Sequence, residues 1–328
     1  MSEITHEISL QNFQEQFEYV FQNYTKHNRK IADYSNIVIG GLGGSGIGGR
    51  IAKSYFFQEM PVPVEVFSDY HLPAYANENT LTILCSYSGN TEETLNMLAE
   101  AQEKECSIIC MAAGGKLMEL AKENNYPTYT IAEGYQPRMT LGFALANLLM
   151  ILGELIDKDM EPELRTVQNM FVDPANAMLR AEEMRQAFEG NMHQSFLIVA
   201  DAAYEAVAIR VCQQIQENAK GEAFISVLPE ANHNMIESYY DKRDHNIILM
   251  NSGNNARVNA RFDFLEKLLL EKGNSVYKYP INDATLISLF EVIHATDWLS
   301  IWASDEKKVN NMEVGIIMEL KGFLASHT

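Results

Sequence analysis

Cysteine is scarce in this chain of 328 residues. There are four, at positions 85, 106, 110 and 212, with no Cys-x-x-Cys pair among them and none in a loop-rich disulfide setting. A disulfide-stapled secreted scaffold is thereby excluded, and a reducing cytoplasm is the expected compartment. Basic charge is also short: 25 Lys and Arg stand against 44 Asp and Glu, a formal net charge of −19 at pH 7. Such a field repels polyanions and anionic lipid surfaces, so neither nucleic acid nor membrane is an expected partner. A small anion would have to be held by local donors, namely backbone N–H groups and a few placed cations. Long apolar runs are missing too. The most apolar stretch, Leu141 to Ile156, contains Asn147 and Glu154 and falls short of the ~20 residues that cross a bilayer, so it reads as a buried helix. The opening MSEITHEISLQNFQEQF is acidic and polar where a signal peptide is basic and then apolar, so export is not expected. No His-Glu-x-x-His occurs, and His294 with Asp297 gives one helical i, i+3 pair for which packing is the expected role; no metal is expected. A Gly-x-Ser-x-Gly elbow with its partners is absent as well, and Gly44-Ser45-Gly46 lies in a glycine-crowded turn that suits an anion better.

What is present is an ordinary globular composition, 47% hydrophobic and 21% charged, at about twice the length of one ~150-residue domain. After an amphipathic lead-in helix from Leu10 to Lys30, short β-rich runs alternate with helical ones. The expected strands are Asn36–Ile39, Val64–Phe67, Thr80–Cys85, Ser107–Met111 and Thr128–Ile131, then Ser195–Ala200, Phe224–Leu228, Asn246–Met250 and Ser275–Tyr279. This alternation predicts an α/β protein of two doubly wound parallel-sheet domains with a long linking helix and a C-terminal helix. The expected boundaries are residues 1–157, a linking helix over 158–189, and residues 190–328. The two halves share an order of elements but no letter-level repeat is apparent. A polar loop, DEKKVNN, precedes the last helix at Met312–Leu324.

Four segments carry chemistry. The first strand runs into Gly40-Gly-Leu-Gly-Gly-Ser-Gly-Ile-Gly-Gly49, with a helix expected near Arg50; six of the nine residues from Gly41 are glycine, where packing would need one or two. Glycine lets backbone approach a ligand, and a helix N-terminus offers N–H groups to a phosphate. The run also contains Gly41-x-Gly43-x-x-Gly46, with Asp69 about 20 residues beyond its end, so a nicotinamide oxidoreductase stays open as an alternative. Second, Ser86-Tyr-Ser-Gly-Asn-Thr-Glu-Glu-Thr94 places Ser86, Ser88 and Thr91 between the third strand and a helix. Those hydroxyls, with Ser45, are expected to converge on one phosphate-sized site, and capping of the helix explains Thr91 alone. Third, Arg138 opposes the macrodipole of the apolar helix it precedes; either a negative ligand or a surface salt bridge supplies the reason. Fourth, Glu217 ends a helical pattern before Gly221, where the helix C-terminus disfavours its charged form and suits it to general base work. His233 follows in an Asn-His-Asn loop, a site-like position for an imidazole.

The motifs GGLGGSGIGG, SYSGNTEET, PRMTLG, ENAKGEAF and LPEANHN, in this order, resemble the bifunctional phosphoglucose/phosphomannose isomerases, a branch of the sugar isomerase (SIS) domain superfamily. The resemblance runs over nearly the whole chain. It implies two SIS-like domains and a metal-independent aldose–ketose isomerase needing no cofactor, acting on glucose or mannose 6-phosphate and fructose 6-phosphate. By match, Gly44, Ser45, Ser86, Ser88 and Thr91 hold the phosphate, Arg138 steadies a cis-enediolate, Glu217 moves the proton, and His233 opens the ring. Lys321 in MELKGFL matches a lysine of the family's C-terminal helix. Relatives often read Asp-Pro-Thr-Pro-Val ahead of that lysine, where this chain has Asn310-Asn-Met-Glu-Val314. A homodimer is also implied, with His233 serving across the subunit seam. The competing reading from the fold is a non-catalytic sugar-phosphate sensor, which would need the two cradles but gives no reason for Glu217 and His233 together.

Overall fold

The computed structural model describes residues 4–281 and 283–327, so the first three residues of the segment read for a leader, and the outermost bounds of the expected domains, lie outside it. The chain divides into two units, one built on Ile8–Pro174 with Ala284–Phe290, the other on Ala175–Asp283 with Glu291–Thr328 and Thr5–Glu7. In the first unit β1 (Asn36–Gly40), β2 (Val64–Phe67), β3 (Thr80–Cys85), β4 (Ser107–Ala112) and β5 (Thr128–Thr130) form a parallel sheet in the order β2-β1-β3-β4-β5. β3 is buried at every residue, as a central strand between two helical layers must be. The order reverses between β1 and β3, which opens a crevice at their carboxyl ends where such sheets bind ligands. Helices α3 (Gly43–Tyr55), α4 (Glu92–Glu103), α5 (Gly115–Glu123) and α6 (Leu141–Leu155) complete this layer. α6 is buried at all positions except Met150 and Glu154, the expected buried helix.

Glu154 also explains where the lead-in helix departs from expectation. The segment forms α1 (His6–Gln11) and α2 (Phe13–Asn23), and residues 24–30 then run irregularly. The Glu154 carboxylate accepts from the Tyr24 hydroxyl (2.8 Å) and from the N–H groups of Asn28 (2.7 Å) and His27 (3.2 Å), and a continuing helix would have spent those two N–H groups on itself. Asn28 turns the chain at a positive φ of 57°.

A single linking helix is likewise not observed over 158–189. Two helices occupy it, α7 (Glu161–Met170) in the first unit and α8 (Ala175–Ala187) in the second. Pro174 is the reason: its ring disfavours helical backbone at Asp173. Just before the break, the Phe171 ring meets Phe13 (4.7 Å) and Phe17 (5.8 Å), anchoring the end of α7.

The second unit repeats the architecture with β6 (Ser195–Asp201), β7 (Ala223–Leu228), β8 (His245–Met250) and β9 (Ser275–Lys278), parallel in the order β7-β6-β8-β9. Between them run α9 (Glu205–Ala219) and α10 (Ala256–Glu271), the latter packing Phe262, Leu265 and Leu269 against Leu197, Val199, Ile247 and Leu249. α11 (Leu286–Lys307) is longer than expected: its last turn takes in the start of the DEKK stretch and ends at Lys308, which has a φ of 55°. α12 (Gly315–Ala325) follows a turn at 310–313, so it begins three residues later than its expected start. Among the described residues no helix is long and apolar enough to cross a membrane.

Candidate active site

In the first unit, α3 starts at Gly43, inside the glycine run rather than near Arg50. Gly43 has a φ of +51° with open space around it, a conformation that favours glycine. Its neighbours have a different reason. A Cβ at Gly44 would stand 2.7 Å from the Pro137 carbonyl oxygen and 3.4 Å from the Arg138 Cα; at Gly46 it would stand 2.5 Å from the Gly41 oxygen, and at Gly49 2.8 Å from Ile39 Cγ2. Close packing therefore accounts for more of these glycines than the one or two expected. It also sets the start of α3 directly against the Arg138 turn.

The turn after β3 is tied to this one. Ser45 Oγ accepts from the Tyr87 N–H (3.2 Å), the hydroxyls of Ser86 and Thr91 are 2.8 Å apart, Ser86 Oγ accepts from the Gly89 N–H (3.1 Å), and Ser88 Oγ accepts from the Asn90 N–H (3.2 Å). Gly44, Ser45, Ser86, Ser88 and Thr91 are thus brought together at the β1/β3 reversal. Thr91 occupies the N-cap position of α4 without capping it, and Leu42 before α3 has no capping group. At α3 the Ser45 N–H turns back to the Leu42 carbonyl (3.0 Å), and no cap side chain meets the first N–H groups of either helix, a region of positive helix potential. Arg138 is 4% exposed, within a single 3-10 turn (Pro137–Met139), and so is not at the surface.

Sequence reasoning missed a third turn in this cluster. A Cβ at Gly89 (φ +67°) would fall 1.8 Å from the Gly114 oxygen, one at Gly115 (φ +72°) 2.3 Å from the Ser88 oxygen, and Asn90 Oδ1 accepts from the Lys116 N–H (3.0 Å). The signal was there in Gly114-Gly115, a glycine pair between a strand and a helix. Tyr87 was also missed; its hydroxyl accepts from the Tyr135 N–H at 2.9 Å and so braces the segment before Arg138.

In the second unit, Glu217 lies half-buried in the last turn of α9, as expected, and the face beside it is fixed by a buried polar ladder. Arg210 pairs with Asp297 of α11 (2.5 Å), Gln214 donates to Asp297 (3.1 Å), Asn218 donates to Ser300 (2.9 Å), and Ser300 donates to the Asp297 carbonyl (2.6 Å). Burial pushes the Asp297 carboxyl up, with Arg210 and Gln214 working against that shift. Asp297 is committed to this ladder, and the packing role expected for it over a metal role agrees with its geometry. His233 is exposed at the end of a 3-10 turn (Glu230–His233) rather than in a loop, and Lys321 is exposed on α12. These three side chains sit on three separate elements. The cysteines are free and buried, with the thiols of Cys85, Cys110 and Cys212 pushed up to about 12 by desolvation, which leaves them inert as nucleophiles at neutral pH. Among the described residues no group of three or more His, Cys, Asp or Glu is placed to hold a metal ion.

Known families divide the chain as its two sheets do. Residues 30–150 match the SIS domain, and residues 180–324 match the bacterial phospho-glucose isomerase C-terminal SIS domain. A solved structure of a hypothetical protein from Thermus thermophilus has the same fold, with a TM-score of 0.77 at 15% identity over 99% of this chain and 91% of that one. Fold and strand-end turns together define a tandem SIS-domain protein. A bifunctional phosphoglucose/phosphomannose isomerase of Caldicellulosiruptor bescii is 31% identical over 288 residues, 84% of this chain and 85% of that protein. A D-glucosamine-6-phosphate 4-epimerase of Sulfolobus acidocaldarius is 33% identical over 211 residues, 63% of this chain and 65% of its own length. The chain belongs to the bifunctional phosphoglucose/phosphomannose isomerase family.

Proposed function

We propose that this sugar-phosphate isomerase interconverts glucose 6-phosphate and mannose 6-phosphate with fructose 6-phosphate, without metal or nucleotide. The observation that carries the reading is the joined pair of turns at the β1/β3 reversal, where Ser45, Ser86 and Thr91 meet two helix starts that no side chain caps. A phosphate dianion matches that set of donors. Arg138, packed against Gly44, supplies the positive charge that steadies developing enediolate oxygens. Proton transfer is assigned to the second unit. His233, with Lys321, delivers a proton to the ring oxygen and accepts one from the C1 hydroxyl, so the C1–O5 bond breaks as the C1 carbonyl forms. Glu217 then removes the proton from C2; the C–H electron pair becomes the C1–C2 double bond and the former carbonyl oxygen O1 takes the negative charge. The hydroxyl proton of O2 then passes to O1, the O2 electron pair forms the C2 carbonyl, and Glu217 returns its proton to C1 as the double bond gives up its electrons. The cis-enediolate has lost the C2 stereocentre, so one base serves both epimers. The reading includes a homodimer in the cytoplasm, as the resemblance and the free thiols support.

The test is product formation from each aldose phosphate, followed by NMR in D2O with and without EDTA. Fructose 6-phosphate from both, at rates indifferent to EDTA and with deuterium entering C2 in the reverse direction, is the expected result. No isomerisation of either, or loss on chelation that Zn²⁺ restores, would overturn it. The Sulfolobus relative favours a second reading, epimerisation of an amino-sugar phosphate. Glucosamine 6-phosphate in the same assay distinguishes the two, since inversion at C4 would give the galactosamine epimer.

A further inference from the structure

Lys220 follows α9 in the left-handed conformation, with a φ of 50° and its N–H bonded to the Ile215 oxygen. Its ammonium donates to three carbonyl oxygens at short range: Glu217 at 2.6 Å, Glu313 at 2.7 Å and Asn310 at 2.9 Å. An ammonium has three N–H bonds, enough to serve these three, and the Asn218 oxygen at 3.5 Å is a longer fourth contact. Lys307 Nζ in turn donates to the Lys220 carbonyl at 3.0 Å. One cation therefore joins the residue proposed as base to the turn from which α12 departs. α12 itself has no buried residue, and Ile316 at its start is 83% exposed. Core packing does not bury this helix, and the turn at 310–313 from which it departs is bonded to Lys220. This tether lies in the stretch where this chain reads Asn-Asn-Met-Glu-Val.

We propose that Lys220 is a positioning residue for the isomerisation: by drawing the carbonyls of Asn310 and Glu313 onto the end of α9, it holds the helix bearing Lys321 in register with Glu217. The inference rests on the function proposed above. A lysine at a helix C-terminus also meets the negative end of the macrodipole, so the contact with the Glu217 carbonyl is favourable in its own right. The second pair of contacts reaches a segment about ninety residues further on, which a cap does not require.

Lys220→Gly is the informative variant, because glycine is the preferred residue at a left-handed cap and the change removes the ammonium without straining the backbone. Amide hydrogen exchange over residues 309–325 is expected to quicken by about fivefold or more, with the strands of the second unit unchanged. Turnover of fructose 6-phosphate is expected to fall by about fivefold or more while KM stays within about twofold. Lys220→Arg should recover part of both. If Lys220 acts through α12, the Lys220→Gly/Lys321→Ala double variant should be no slower than Lys321→Ala alone. Unchanged exchange over 309–325, unchanged turnover, or losses that multiply in the double variant would each overturn the inference. Exchange needs no substrate, so a chain that isomerised no hexose phosphate would sink the proposed function while still leaving the tether measurable.

Discussion

The two units carry the same turn and use it in opposite ways. After β3 the chain reads Ser88-Gly89-Asn90-Thr91 and enters α4; after β8 it reads Ser252-Gly253-Asn254-Asn255 and enters α10, a short repeat overlooked in the sequence. The geometry repeats too. The glycines have φ of +67° and +74°, and in each copy the serine Oγ accepts from the asparagine N–H, at 3.2 and 3.3 Å. The difference lies in what meets the donors. In the second unit the buried Asp201 carboxylate accepts from the Ser252 N–H (2.9 Å), the Ser252 hydroxyl and the Tyr204 N–H (3.2 Å), and Asn255 caps α10 through the N–H groups of Arg257 and Val258. The second copy thus contains its own anion and its own cap. In the first, the hydroxyls of Ser86 and Thr91 bond each other and no side chain caps α4. The neighbouring Asp201 carboxylate closes the turn in the second unit, and the reading proposed above leaves its first-unit counterpart to a ligand.

The largest expected effect breaks the closed copy. Asp201→Ala would strand buried donors that now serve a charged acceptor, and a loss of about 3 kcal/mol or more in the stability of the second unit is expected by urea unfolding. High inorganic phosphate should restore more stability to this variant than to the wild type, since the vacated turn would then resemble the first. A loss under about 1 kcal/mol would show that Asp201 is not the internal anion. Next in size, Glu217→Gln separates anchoring from chemistry. Turnover should fall by at least ~10²-fold, with the affinity for fructose 6-phosphate held and deuterium exchange at C2 abolished. Near wild-type turnover would move the base elsewhere, with Glu230 the next candidate, and a variant that melts early would mark Glu217 as a structural helix-end residue.

How far such a comparison could be seen in advance depends on the range of the forces involved. The expected strands were all legible, because buried parallel strands are continuous apolar runs with local punctuation. The lead-in helix was misjudged because its end is set by Glu154, more than a hundred residues away. The break in the linking helix was legible at Pro174 and passed over. The turns proposed to hold the phosphate were visible as glycine and hydroxyl clusters, since backbone anchoring leaves a compositional trace. Glu217 was legible as a helix-end carboxylate suited to base work and His233 as an imidazole in an Asn-His-Asn loop, whereas the ring-opening role expected of His233 and any role of Lys321 came through the resemblance alone. The Lys220 tether left no trace, because its partners are carbonyl groups that every residue possesses.

A smaller effect sharpens the open copy. Ser86→Ala with Thr91→Val keeps the volume of the turn and removes both hydroxyls, so sugar-phosphate affinity should fall by about 1 kcal/mol per lost bond, or roughly tenfold or more for the pair. Calorimetric titration with fructose 6-phosphate reads this directly. Stability should change little, because the two hydroxyls bond each other and the Gly89 N–H keeps the Ser86 carbonyl oxygen (3.1 Å) as an acceptor. Unchanged affinity would remove the phosphate from this turn.

The smallest effect tests the caps themselves. Asn255 and Thr91 hold the same N-cap position before their helices. In the structure Asn255 Oδ1 accepts from two N–H groups of α10, at 2.9 and 3.2 Å, whereas the Thr91 hydroxyl is turned to Ser86. Replacing a working cap with alanine costs ~1 kcal/mol, so Asn255→Ala should lose about that much by urea unfolding. Thr91→Ala should lose well under half as much in the absence of ligand, because it deletes no cap. With fructose 6-phosphate present the ranking should reverse: ligand should stabilise Asn255→Ala as it does the wild type and stabilise Thr91→Ala less, since binding to the folded state is what links affinity to stability. Equal losses without ligand would mean that Thr91 caps α4 in solution, and the contrast between the open and closed turns would then fail at its simplest point.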